Sequence, residues 1–190
     1  MKVLVAYASK HGGTRGIATR IAESLGAAGV DAQLIDMAQT ELVAGFDAAV
    51  VGSAVYMGRW MKEATAFVRR NRSALGDRPL WLFSSGPVGP QPLPEAKDAA
   101  ELRSLFTVVD HRTFDGVIDS GTLSLAERLI VRTVKAPNGD FRDWEEIDSW
   151  AGSIAQALNV PTTVERHHVD GYSTMRRCAS ASPAADGVTR

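Results

Sequence analysis

Tyr7-Ala8-Ser9-Lys10-His11-Gly12-Gly13-Thr14 is the stretch whose reading decides the fold. The apolar run before it, Lys2-Val3-Leu4-Val5-Ala6, predicts a buried strand. After it, Ile17, Ala18, Ile21, Ala22 and Leu25 recur at helical spacing. Arg15 to Gly29 therefore predicts an amphipathic helix, closed by Gly29. Such a strand–loop–helix turn leaves backbone N–H groups without acceptors at the helix start, aimed at whatever lies above. Ser9 and Thr14 add hydroxyl donors, and Gly12 and Gly13 let the backbone approach a ligand closely. The expectation is a nest for a phosphate. Lys10 and Arg15 flank it, and His11 either presents a donor to it or faces solvent.

Outward from this turn, strand and helix alternate. Val30 to Met37 predicts a second strand and Phe46 to Ala54 a third, buried on both faces. Trp60 to Ser73 is an amphipathic helix with Met61, Ala64, Phe67 and Val68 on one side. Arg78 to Phe83 is a fourth strand that ends at Ser84, and Glu95 to Leu105 a helix. Thr107 to His111 and Phe114 to Ile118 form an interrupted fifth strand region. Ser124 to Lys135 and Asp143 to Leu158 complete the set of helices. This rhythm predicts an α/β fold: a doubly wound parallel five-stranded sheet with helices on both faces. From Pro161 the residues lose all period, so residues 1–160 are expected to form one domain and 161–190 a flexible tail.

Composition narrows the function classes. At 190 residues with 45% hydrophobic and 23% charged content, the chain can bury one ordinary core. A formal net charge of −1 argues against nucleic acid as partner. A single cysteine, Cys178, excludes an internal disulfide and fits a reducing cytoplasm. The apolar run after Lys2 is too short for a signal peptide, and no segment has the length of a bilayer span.

In doubly wound sheets ligands sit at the carboxyl ends of the strands. Three loops end there: Ser9 to Thr14, Gly52 to Trp60, and Ser84 to Pro90, all rich in Gly and Ser and all without a carboxylate. The first is neither G-x-x-x-x-G-K-[ST] nor G-x-G-x-x-G, which excludes a P-loop nucleotidase and the dinucleotide fingerprint. The first strand ends without an acidic pair, so a phospho-acceptor receiver is not expected. Asp36 reads as a polar strand end or loop cap, and His111 as structural. His167, His168 and Cys178 match no metal-ligand spacing, and no metal is expected. Trp81 and Phe83 read as core, and Trp144, Ile147 and Trp150 as the face that packs the last helix on the sheet.

The pattern Ser-x-His-Gly-Gly-Thr over Ser9 to Thr14 resembles the phosphate loop of flavodoxins, S/T-x-T-G-x-T, with His11 in place of a hydroxyl residue. The resemblance implies FMN, held by its monophosphate. An isoalloxazine needs apolar faces and backbone hydrogen bonds along its polar edge. Tyr56, Met57 and Trp60 can supply the faces, and Gly58 lies where a peptide can turn to meet flavin N5. The implied cofactor set is Ser9, Lys10, His11, Gly12, Gly13, Thr14, then Ser53, Ala54, Val55, Tyr56, Met57, Gly58, then Ser84, Ser85, Gly86, Pro87, Val88 and Gly89. No side-chain nucleophile is expected.

Two further segments are similar to menaquinone-dependent protoporphyrinogen oxidases. One is Gly52 to Trp60 followed by Phe67-Val68. The other runs from Phe114-Asp115-Gly116-Val117-Ile118-Asp119 to Gly139-Asp140-Phe141-Arg142-Asp143-Trp144 and matches that family's long insertion. This resemblance implies electron transfer from protoporphyrinogen to a quinone at the cytoplasmic membrane face. Ser85 to Pro90 lacks the aromatic that covers the flavin in electron carriers, and the chain lacks their acidity. Ser124 and Glu127 make a capping box. Arg128, Arg132 and Lys135 form a basic stripe beside Leu125, Leu129, Ile130 and Val134. That helix either packs on its own sheet or lies on an anionic membrane. Three classes stand open: an FMN oxidoreductase, a one-electron carrier and a flavin-free binding module.

Overall fold

The apolar runs become the strands of one sheet. The computed structural model describes residues 1–86, 95–119, 121 and 138–159. Along the chain come β1 (Lys2–Ala8), α1 (Gly13–Ala27), β2 (Asp31–Asp36), β3 (Ala48–Tyr56), β4 (Arg59–Trp60), α2 (Lys62–Arg70) and α3 (Arg72–Gly76). They are followed by β5 (Leu80–Ser85), α4 (Lys97–Leu105), β6 (Val108–Phe114), β7 (Val117–Ile118), β8 (Gly139–Asp140) and α5 (Trp144–Asn159). All these residues belong to one compact unit, Met1–Val160.

Five strands pair in parallel in the order β2-β1-β3-β5-β6. The winding direction reverses between β1 and β3, which is the switch point of the doubly wound class. The central strands β1, β3 and β5 are buried almost throughout, as their continuous apolar runs require. On one face Val3, Val5, Val50 and Phe83 pack against Ile17 and Ile21 of α1 and Ile147 and Ile154 of α5. On the other, Leu4, Ala6, Val51 and Leu82 meet Phe67 and Val68 of α2 and Leu102 of α4. Phe83, Phe114 and Trp150 meet at tilted and edge-on angles, with centroids 5.5 to 6.3 Å apart.

Helix ends follow their local chemistry. Gly29, at φ 83°, follows the last turn of α1, and Val30 N and Gly29 N return hydrogen bonds to Leu25 O and Gly26 O at 3.0 Å. Asp143 caps α5 by accepting from Glu146 N at 3.0 Å. Asp36 accepts from Ala38 N at 2.9 Å, a turn cap at the end of β2.

The structure departs from expectation at three places. The helix predicted over Trp60 to Ser73 breaks at the buried Asn71. That side chain donates to Phe67 O and Glu41 O and accepts from Val43 N, each at 3.0 Å, so it ends α2 and ties down a loop. The fifth strand runs without interruption over Val108–Phe114, with its pairing shifted at Leu80/Trp81. Val117–Ile118 leaves the sheet and pairs antiparallel with Gly139–Asp140. The predicted helix Ser124 to Lys135, the tail 161–190 and Pro87, Val88 and Gly89 lie outside the described residues. Among the described residues, no helix is long and apolar enough to cross a membrane.

Candidate functional site

Register alone gathers the loops. Ala8 stands beside Ser53, Ser53 beside Ser84, and Ala54 beside Ser85, so the ends of β1, β3 and β5 form one row at the switch point. The first loop leaves this row and turns into α1 through Gly12, whose φ of 84° is left-handed. Gly12 N donates to Ser9 Oγ at 3.1 Å, and Gly16 N returns to Gly12 O at 3.0 Å. The N–H groups of Gly13, Thr14 and Arg15 fall before the first intrahelical bond. No side chain caps this helix and its first turn holds no acid. A 15-residue helix with an open, carboxylate-free start has the dipole and the donors for an anion. Thr14 is buried in that turn. Lys10 Nζ reaches from this loop to within 5.9 Å of the Tyr56 ring centroid, which joins the first loop to the second.

The second loop is a hairpin. Val55 pairs with Trp60 and Tyr56 with Arg59, leaving Met57 and Gly58 as a two-residue turn. Both are left-handed, at φ 51° and 73°, which makes this a type I′ turn. Met57 is the one non-glycine residue at positive φ among the described residues, and it is 95% exposed. Holding it there costs about 1 kcal/mol, which the rest of the hairpin must offset. Tyr56 is partly exposed beside it. Trp60, expected as a wall for a ligand, is only 4% exposed and belongs to the core. A β-strand alternates faces, so the residue paired with Val55 turns inward.

Buried polar groups fix this hairpin. The Asp98 carboxylate accepts from Trp60 N and from Arg59 Nη2, each at 2.9 Å. Gly58 O accepts from Lys97 N at 3.1 Å, so a turn of the peptide at Gly58 must break a bond to the start of α4. Ser53 Oγ donates to Ala54 O at 2.9 Å and accepts from Met61 N at 3.0 Å. Trp60 Nε1 donates to Ser84 Oγ at 2.9 Å, Ser84 Oγ lies 3.1 Å from His111 Nε2, and His111 Nδ1 lies 2.9 Å from Glu95 Oε1. A neutral imidazole protonated at Nδ1 satisfies all three contacts, donating to Glu95 and accepting the Ser84 proton. Burial pushes the His111 imidazole below its ordinary value, although Glu95 pulls the other way. The serine–histidine–carboxylate geometry resembles that of a nucleophile and its base. Ser84, however, is 1% exposed and already accepts an indole N–H, so no electrophile reaches it. The chain is a brace across four segments. The third loop begins beside it: Ser85 is buried, and Gly86, at φ 82°, donates to Phe114 O at 2.9 Å.

Asp98, the His111–Glu95 pair and Arg142 are parts of the site that sequence reasoning did not assign. Arg142 lies in the Gly139 to Trp144 segment and donates from Nη1 to Gly13 O at 3.3 Å. Its guanidinium covers Trp144 at 4.4 Å, so Trp144 is partly exposed beneath an arginine rather than packed on the sheet with Ile147 and Trp150.

The rim thus offers an anion nest, a hairpin tip with exposed apolar side chains, and no carboxylate on any described residue of the three loops. These features fit a phosphorylated, uncharged ring system. The family model described as a flavodoxin domain matches residues 4–144. The chain belongs to the flavodoxin-domain family. FMN is its cofactor. Among curated proteins, the chain is 22% identical over 181 residues to the protoporphyrinogen IX dehydrogenase [quinone] of Escherichia coli strain K12. That match covers 85% of this chain and 99% of the relative. Among solved structures, flavodoxin 1 from Bacillus cereus superposes with a TM-score of 0.58 at 12% identity, over 82% of this chain and 98% of that one. A flavodoxin from the domain Archaea superposes with a TM-score of 0.56 at 18% identity, over 83% and 99%. At these identities the structures establish the fold.

Proposed function

We propose that this flavodoxin-domain protein is an FMN-dependent oxidoreductase that takes hydrogens from a porphyrinogen and passes them to a quinone. The observation that supports this best is the β7–β8 ladder with its Gly139 to Trp144 segment. It is built against the start of α1 in a chain that aligns along 99% of a protoporphyrinogen IX dehydrogenase.

In this reading the first-turn N–H groups of α1 hold the FMN phosphate together with Ser9 and Thr14, while Lys10, His11, Gly12 and Gly13 complete the turn. Ser53, Ala54, Val55, Tyr56, Met57 and Gly58 form one wall. Ser85 and Gly86, with Pro87, Val88 and Gly89 after them, are assigned to the other, while Ser84 lies buried behind it in the His111 brace. Bound FMN supplies the redox chemistry. The residues of the chain bind its phosphate, fix the hairpin and leave Met57 open to a donor. Hydrogens leave the porphyrinogen in pairs, and each pair appears on one quinol. Quinones are lipid-soluble, and the basic stripe of Arg128, Arg132 and Lys135 would give contact with an anionic membrane.

The test is the FMN-loaded protein with protoporphyrinogen IX and a menaquinone analogue, followed by porphyrin fluorescence. The expected result is a rise that needs both FMN and quinone. A second reading, a one-electron carrier, is favoured by the flavodoxins among the structural neighbours. FMN-loaded protein that oxidises no porphyrinogen, yet exchanges single electrons with a redox partner, would establish that reading instead. Reversal of Arg128 and Arg132 to glutamate should weaken sedimentation with anionic vesicles, and unchanged binding would remove the membrane contact.

A further inference from the structure

We infer that Arg142 is a positioning residue for the cofactor phosphate, acting through the Gly13–Thr14 peptide; the inference rests on the FMN reading above. Arg142 Nη1 donates to Gly13 O at 3.3 Å. That carbonyl shares its amide with Thr14 N–H, one of the first-turn donors of α1. A donor on the carbonyl side of an amide polarises its N–H, strengthening it as a donor by roughly 10–30%. It also holds the peptide plane at one angle. Arg142 therefore aims and sharpens a phosphate-facing N–H from the side opposite the ligand.

The guanidinium is itself placed by three contacts. Asp140 takes Nε at 2.8 Å and Nη2 at 2.5 Å, a two-pronged pairing that only a planar fork can make. The Trp144 ring lies beneath it at 4.4 Å. Asp140 in turn belongs to the β7–β8 ladder, and Phe141 N donates to Gly116 O at 3.1 Å. Because Asp140 balances the charge, the contribution of Arg142 is orientation and polarisation rather than a net positive field.

Two glycines of α1 owe their identity to this arrangement. A β-carbon at position 16 would lie 2.3 Å from Arg142 Nη1, and one at position 13 would lie 2.8 Å from Val117 Cγ1. The missing side chains at Gly13 and Gly16 thus admit the ladder and its arginine from behind. Gly12 differs: with nothing near its β-position and a φ of 84°, it owes its glycine to backbone conformation.

The test is titration of the apoprotein with FMN and with riboflavin, which lacks the phosphate. Arg142→Met is expected to weaken FMN about tenfold, or about 1.4 kcal/mol, and to leave riboflavin affinity unchanged within about twofold. Arg142→Lys should behave similarly, since one ammonium cannot serve Asp140 and the Gly13 carbonyl together. Gly16→Ala offers a second route. It keeps the charge, favours the helix, and pushes Nη1 away from the Gly13 carbonyl. It too should lower the FMN-to-riboflavin affinity ratio. An unchanged ratio in folded Arg142→Met and Gly16→Ala, or equal losses for both flavins, would overturn the inference. Wild-type protein that takes up no flavin would overturn the FMN reading and this inference with it.

Discussion

Position 52 has no room for a side chain: a β-carbon there would lie 2.0 Å from the Phe83 ring. Phe83 is fully buried between β3 and α5 and cannot yield. Gly52→Ala should therefore destabilise the fold by about 1–3 kcal/mol, read as a lower denaturation midpoint. An unchanged midpoint would mean that the ring has somewhere to go. Thr14 poses the opposite case. A carboxylate in the first turn of α1 favours the helix dipole but repels a phosphate. Because Thr14 is buried, Thr14→Asp should cost the apoprotein some stability through a desolvated carboxylate, and it should weaken FMN on the order of a hundredfold, since like charges at close quarters cost several kcal/mol. If the variant still purifies yellow, the phosphate lies elsewhere. Single-residue reading of the sequence reached Ser9, Gly12 and Thr14 because their chemistry is local: a hydroxyl, a left-handed backbone, a helix start. It read Gly13 as a close approach to the ligand but could not see the neighbours of Gly13, Gly16 and Gly52, which are Val117, Arg142 and Phe83, distant in sequence.

Among the elements, the β3–β4 hairpin depends most on groups outside itself. Its tip lacks the Asn-Gly or Asp-Gly pair that marks a type I′ turn, so the sequence reads as an irregular loop after Ala54. Asp98, Lys97, Ser84 and His111 hold it, from three other elements. The His111 brace makes a pH dependence. Glu95, Arg103 and Asp110 surround the imidazole, and burial lowers its proton affinity below that of an unfolded chain. Protonation then favours unfolding. The stabilisation is complete above the ordinary histidine value of 6.5 and falls as pH drops below it. Urea midpoints at about pH 8 and about pH 5.5 should differ more for wild type than for His111→Gln, which retains a donor and an acceptor without a titration. Equal differences would show that His111 holds its proton equally well in the folded and unfolded states. The Asn71 break and the departure of Val117–Ile118 from the sheet were illegible for the same reason. Each depends on a partner remote in the chain: Val43 and Glu41 for one, Gly139 and Asp140 for the other.

At the scale of the molecule, the doubly wound order was legible because alternation of apolar runs and helical faces leaves few topologies. Continuous burial of β1, β3 and β5 marks them as central, and partly exposed β2 and β6 mark the edges. The convergence of the three loops follows from that order, without any contact being specified in advance. A formal net charge of −1 gives the chain no strong overall field with which to dock a charged partner. The proposed function depends on a flavin mononucleotide being seated at the β1–β3 switch point by its phosphate. The most direct test is fluorescence titration of wild-type apoprotein with FMN and with riboflavin, with inorganic phosphate as competitor. The account expects saturable FMN binding about tenfold or more tighter than riboflavin, weakened by phosphate. Equal affinity for the two flavins, or no uptake of either, would contradict it.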